Sequence, residues 1–252
     1  MWERKELKDN AKYVLRTSYW KAFLVSLILG FVGGGARFPD LNFNFGSSSN
    51  GSFDSETGFI DWGLMAPIFA LAAGLIIVFI IFAISFRIFL GFPLEVGSIQ
   101  YFKRSAEQDV NLNHLGYAFN SQRYLKIVAA MLWRGFLNFL WYLLLIIPGI
   151  VKSYAYSLVP YILADNPNIG YNRAVDLSNQ MTRGHKFRMF VLDLSFIGWI
   201  LLGLLACFVG VLFVMPYINA TKAELYLALR KEALERNLTT EAELQLVPPP
   251  LY

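Results

Sequence analysis

LKIVAAMLWRGFLNFLWYLLLIIPGIVK, residues 125–152, decides how the rest of the chain is read. Its apolar run from Leu125 to Ile147 is long enough to cross about 30 Å of hydrocarbon at about 1.5 Å per residue. It then meets Pro148-Gly149, a pair suited to stopping a helix and reversing the chain. Were 125–152 one crossing and Phe187 to Tyr217 the next, the intervening loop would lie outside the cell with Lys152, Arg173, Arg183, Lys186 and Arg188. Basic residues beside membrane spans stay on the cytoplasmic side, so that arrangement is disfavoured. A reversal at Pro148-Gly149, a return through 150–164 and a second reversal near 207–210 put the same basic loop inside.

The remaining basic residues agree with this sidedness. They fall into clusters at Arg4 to Lys21, Arg87 to Lys126, Arg173 to Arg188 and Lys222 to Arg236, with only Arg37, Arg134 and Lys152 outside them. Trp62 to Phe86 is a second unambiguous apolar run, and Ala22 to Gly35 is a short one helped across by Tyr19, Trp20 and a snorkelling Lys21. The expectation is an all-α, polytopic membrane helical bundle of about six spans, arranged as three hairpins with interfacial amphipathic helices. Both termini are cytoplasmic and the protein sits in the cell (plasma) membrane. Residues 1–236 form the membrane domain and 237–252 a cytosolic C-terminal tail. Within the domain, 1–18 is an N-terminal amphipathic helix and 37–61 a flexible external loop. That loop holds the low-complexity run GSSSNGS and the aromatics Phe38, Phe43, Phe45 and Phe53, which rest at the outer interface or capture a ligand.

Composition narrows the chemistry. The 252 residues are 56% apolar, with a single cysteine, Cys207, and two histidines, His114 and His185, so neither an intramolecular disulfide nor a Cys/His zinc site is expected. The net charge of +4 borders apolar spans instead of forming a polar domain, which points to anionic lipid headgroups and away from nucleic acid. Ala22 to Ala36 resembles the apolar core of a signal peptide, but helical spacing at Leu7, Ala11, Val14 and Ser18 favours a retained amphipathic helix ahead of an uncleaved first span.

Aligning the outgoing spans on Lys21, Lys126 and Arg188 suggests an internal threefold repeat. Fourteen residues earlier stand Leu7, Leu112 and Ala174; ten earlier, Ala11, Gly116 and Ser178; seven earlier, Val14, Phe119 and Met181. Each returning span also carries a proline near its cytoplasmic end: Pro93, Pro160 and Pro216. Repeated hairpins commonly place a site at their interface, while small residues in the middle column suit close helix approach. Asn166-Pro167 reads as the start of the third interfacial helix and Gly184 as its stop.

Several segments carry a family resemblance: LGFPLEVG (Leu90 to Gly97), LLLIIPGIVKSYAYSLVPYILADNP (Leu143 to Pro167), RGHKFRMFVLDLSFIGWILLG (Arg183 to Gly203) and PYINATKAELY (Pro216 to Tyr226). Their order resembles the bacterial integral membrane family known as domain of unknown function 975, from the N-terminal helix to about Arg230. More distantly the chain resembles the membrane domain of some glycerophosphoryl diester phosphodiesterases. That domain is separate from the catalytic barrel, for which there is no room here, so the resemblance implies membrane architecture without hydrolysis.

Charge inside a bilayer is a functional hypothesis by default. Arg134 lies roughly 12 Å along its helix beyond Lys126 and Asp193 roughly 7 Å beyond Arg188, so the two are expected to pair across neighbouring spans. A structural lock is the first reading of that pair, and a proton or substrate relay or a wet crevice the others. Glu95 either accepts bonds from backbone freed by Pro93 or sits among cytoplasmic headgroups. Asp165 and Asn166 are expected to cap a helix. Arg183, His185, Lys186 and Arg188 form either a headgroup site or the ordinary positive belt. No GxSxG, HExxH, Walker A or GxGxxG pattern occurs. The expected function is non-enzymatic binding of lipid or of a membrane-protein partner, with envelope homeostasis or protection from membrane-active peptides as roles, and no cofactor. The alternative is a small transporter with its site at the interface of the repeated hairpins.

Overall fold

A computed structural model describes residues 2–32, 62–205 and 209–246. The external loop 37–61 with its phenylalanines, Gly33 to Gly35, Cys207 and the last six residues lie outside the described residues. All regular structure among the described residues is helical.

The first helix, α1 (Arg4–Val32), has a break at Ser18, where φ is −126° and ψ 16°. Ser18 Oγ donates to the Val14 carbonyl at 2.8 Å, a back-bond that competes with the helix ladder and bends it. The bend falls where the amphipathic stretch was expected to end and the first apolar run to begin. α2 (Trp62–Phe86) is apolar on every side, and Leu71, Phe79 and Phe82 are all largely exposed, as suits a helix facing hydrocarbon.

α2 continues through a π-helical turn, Arg87–Gly91, into α3 (Phe92–Ala106). Pro93 has no N–H to give the carbonyl four residues earlier, and Tyr124 Oη donates to that Phe89 carbonyl instead, at 2.7 Å. A 3-10 helix (Leu112–Phe119), opened by the Asn111 side chain accepting from the Asn113 N–H, then lies across α3. Gly97 permits the approach: a Cβ there would stand 2.2 Å from the Leu115 carbonyl oxygen.

α4 (Ser121–Leu144) ends at Leu145, which is extended, and α5 (Ile146–Ala155) starts at once. The reversal thus comes earlier than Pro148-Gly149. Pro148 sits in the first turn of α5, where a missing N–H costs nothing. Gly149 makes room for the Tyr142 ring, which a Cβ would meet at 2.5 Å. A turn at Tyr156 to Leu158 separates α5 from α6 (Val159–Asp165). Ser178 stitches that turn, its hydroxyl accepting from Leu158 N–H at 3.2 Å and donating to the Ala155 carbonyl at 2.7 Å.

α7 (Tyr171–Met181) begins after Gly170, at φ +86°, four residues later than Pro167, so Asn166 does not cap it. Gly184, at φ +84°, follows its end as expected. α8 (Lys186–Leu205) and α9 (Val209–Glu235) resolve the long run from Phe187 to Tyr217 into two helices. They lie antiparallel: Lys222 pairs with Asp193, Tyr217 meets the Phe196 ring, and the backbone of Gly210 and Val211 presses on Gly203.

Within the proposed small-residue column, Ala11 and Ser178 are fully buried, whereas Gly116 is exposed with nothing near its would-be Cβ. The tighter 3-10 winding of that segment changes which residue faces inward; Ala118 is buried in its place. Residues 237–246 do not hang free as a tail. Leu244 is fully buried, Asn166 Nδ2 donates to the Glu243 carbonyl at 2.8 Å, and Arg173 Nε donates to Glu243 Oε1 at 2.6 Å.

Ala70–Ala106, Ser121–Leu144 and Ile146–Asp165 are long and apolar enough to cross a bilayer, and the chain is a membrane protein.

Candidate functional site

A cavity of about 230 Å³ opens where α3, the α5–α6 turn and α9 converge, closed on other sides by α1, α4 and α8. The proline-broken segments create it. Pro93 and Pro160 start α3 and α6, and Pro216 lies within α9, so each element enters this region where its backbone ladder is interrupted.

Two groups of ionised side chains face the cavity. Glu95, 6% exposed, accepts from Arg134 Nη1 at 3.3 Å and from Arg87 Nη2 at 3.1 Å. Asp193 takes Lys222 Nζ at 3.3 Å on one oxygen and the Tyr154 hydroxyl at 3.0 Å on the other. Tyr161 and Asn219 add polar groups to the same wall, and Ser26 fixes the Asn219 side chain with a bond of 3.0 Å. Ile99, Phe102, Leu158, Met189 and Leu192 supply the apolar surface. Carboxylates and cations this close in a partly enclosed site attract one another more strongly than they would in open water.

The expected Arg134–Asp193 pair is therefore not formed: both residues line the cavity, but each has a different partner. Glu95 is neither among headgroups nor bonded to freed backbone; it is the acceptor that holds Arg134. Arg87 and Lys222, read from sequence as parts of the basic belt, are the missing members of the two groups, along with Tyr154. The cue for Lys222 was its place one turn beyond Ile218 and Asn219, on the inward side of α9.

The basic cluster at the start of α8 divides. Arg183 is exposed, Lys186 donates to Asn179 Oδ1 at 3.3 Å, and His185 is buried with Nε2 3.1 Å from Glu232 Oε1. Arg188 Nη2 donates to the Trp2 carbonyl at 2.9 Å while its guanidinium stacks over the Trp2 ring. These four side chains do not share one face.

A third charged group, absent from the sequence expectations, lies deeper. Asp165 is no helix cap: its carboxylate takes Lys103 Nζ, the Tyr226 hydroxyl and, at 3.3 Å, Arg230 Nη1. The Lys103 and Asp165 side chains are each 1% exposed. Arg230 continues to Glu107 at 2.7 Å, so two cations face two carboxylates. Lys103 follows Val96 and Ile99 on the buried face of α3, a position at which a belt lysine is out of place. The Tyr161 ring stacks on Tyr226 at 5.1 Å and links this node to the cavity wall.

No curated protein and no solved structure matches the chain. A family profile does, over residues 71–233, a stretch that contains every helix from α3 to α8 and nearly all of α9 as well as all three charged groups. The chain belongs to that family, described as a protein of unknown function (DUF975).

Proposed function

We propose that the protein is a non-enzymatic, multi-pass protein of the cell membrane whose bundle receives the polar head of a membrane lipid in the cavity between the hairpins. The observation that carries this reading is the presence of Arg134–Glu95 and Lys222–Asp193 on the walls of one cavity. Ion pairs that open onto a cavity can exchange a partner for a ligand group without leaving a charge unpaired. With both signs present, the site suits a head bearing an anion and an ammonium, the anion replacing a carboxylate and the ammonium a guanidinium.

In this reading the chain crosses the membrane six times with both termini inside. Support comes from the bend at Ser18, the reversal at Leu145 and the antiparallel contacts of α8 with α9. An internal repeat draws support from two tyrosines. Tyr19 and Tyr124 each stand two residues before an aligned lysine, and each donates to a carbonyl beside a proline break, Phe213 at 3.0 Å and Phe89 at 2.7 Å. Two of the three repeats then brace the returning helix of another, and the cavity is the common interface of all three.

A transporter is the second reading, favoured by the cavity reaching Arg134 instead of a dry core enclosing it. The two separate experimentally. Lipid identified by mass spectrometry from protein purified in mild detergent is expected to fall about tenfold in the Arg134→Gln/Asp193→Asn variant, the loss of roughly one charged hydrogen bond's worth of binding. An unchanged lipid profile rejects the lipid reading. Uptake of radiolabelled zwitterionic solutes into proteoliposomes, abolished by the same variant, establishes the transporter in its place.

A further inference from the structure

A groove runs between the first turns of α1 and the start of α8, away from the central cavity. Arg4, Lys5, Lys8 and Lys12 line it from α1 and Arg188 from α8; Glu3 and Asp9 are the acidic residues on its walls, leaving three positive charges in excess. Asp9 is already taken by Lys12 at 3.2 Å. Among the described residues no carboxylate pairs with Arg4, Lys5 or Lys8; Lys8 Nζ donates to the Ser195 hydroxyl at 2.8 Å and lies 4.6 Å over the Phe196 ring. Arg188 Nη1 is buried without an acceptor. Burial pushes Lys8 below the usual lysine range, and the neighbouring Arg4 and Lys12 charges push it further. An anion in the groove supplies the counter-charge that Arg4, Lys5 and Lys8 lack.

The outer edge of the groove is apolar. Phe187, 74% exposed, and Val191 line it. They continue at helical spacing into an exposed stripe on α8 through Phe190, Leu194, Leu201 and Leu202. A cationic floor that leads into a hydrocarbon-facing stripe matches one molecule, a phosphate with an acyl chain attached. An acidic peptide has no use for the stripe, and free phosphate none for Phe187.

We propose that this groove binds the phosphate of an anionic membrane phospholipid, with its acyl chain laid along α8. The site rests on the membrane setting of α8 and is independent of what fills the central cavity. Arg188 already holds the start of α1 through Trp2, so a phosphate between Lys5, Lys8 and Arg188 joins the same two elements a second time.

The test titrates full-length protein in a neutral detergent with dioctanoyl-phosphatidylglycerol, dioctanoyl-phosphatidylcholine and inorganic phosphate, read by native mass spectrometry. The glycerol lipid is expected to bind about tenfold or more tightly than the choline lipid, and Lys5→Gln/Lys8→Gln to lose that preference. Arg16→Gln/Lys21→Gln removes the same charge from the exposed side of α1 and is expected to keep affinity within about twofold. Equal losses in the two double variants reduce the groove to part of a general basic belt and overturn the proposal. Phe187→Ser is expected to weaken lipid but not phosphate; phosphate binding as tight as lipid overturns the acyl-chain assignment. Lys5→Arg/Lys8→Arg keeps the charge and must restore binding, which separates recognition from misfolding.

Discussion

The node around Asp165 and the cavity around Glu95 and Asp193 are built from the same parts: carboxylates, basic side chains and a tyrosine hydroxyl. They differ in access. The node is shut at its centre, with Lys103 and Asp165 each 1% exposed, and reaches the surface only through the Arg230–Glu107 pair; its acceptor is saturated by three donors. The cavity group leaves its acceptors on a wall with room beside them. A closed network gives rigidity and one arrangement, because any lost partner strands a buried charge. An open one tolerates exchange, because water or a ligand can replace a lost partner. Thus the node is the lock of this bundle and the cavity the open surface on which the proposed binding depends, although both were equally improbable places for charge.

The largest effect that sharpens this contrast is expected at the node. Asp165→Leu strands Lys103 and should cost about 3–5 kcal/mol, while the Lys103→Met/Asp165→Leu double should recover most of it. Denaturant unfolding in detergent measures both; a double variant no better than the single breaks the description of a lock. At the cavity Glu95→Gln should cost less, about 1–3 kcal/mol, because solvent reaches the orphaned guanidinium groups. A loss as large as at Asp165 would erase the distinction between closed and open.

The smallest effect is expected at a third, superficial pair, Arg173–Glu243, about a third exposed on each side. Glu243→Gln should cost no more than about 1 kcal/mol. Its hydrogen bonds from Arg173 hold the Glu243 carboxyl below the ordinary value of 4.5. The docking contribution is therefore fully present above that value and is lost as pH falls through the depressed one. Protection factors over 237–246, which correct for the intrinsic pH dependence of exchange, should be highest near neutrality and fall on acidification below the ordinary carboxylate range, in the wild type but not in the glutamine variant.

Hydropathy and the sidedness of basic residues made the helical membrane character legible, because lipid imposes one-dimensional rules on length and charge. Breaks at Ser18 and before Pro148 were readable to within a few residues, since proline and glycine act locally. Partner choice was not. The spacings Lys126 to Arg134 and Arg188 to Asp193 give depth along a helix but not rotation about the bundle axis, so two residues that line one cavity were joined to each other instead of to Glu95 and Lys222. Lys103 and Lys222 were hidden by their own cluster: a lysine near a span end looks alike whether it faces headgroups or a neighbouring helix. Only its register against Val96 and Ile99 distinguished Lys103.

The span of the node along the chain bears on biogenesis. Asp165 draws its donors from 62 residues upstream, at Lys103, and from 61 and 65 residues downstream, at Tyr226 and Arg230. During synthesis Lys103 has no partner until α6 emerges, and the carboxylate is not saturated until nearly all of α9 has been made. Nascent chains interrupted before Tyr226 carry a half-built polar knot in an otherwise greasy bundle. Completion of the last helix closes the knot, so the final stretch of the chain to be made is the one that finishes the pairing of its most buried charge.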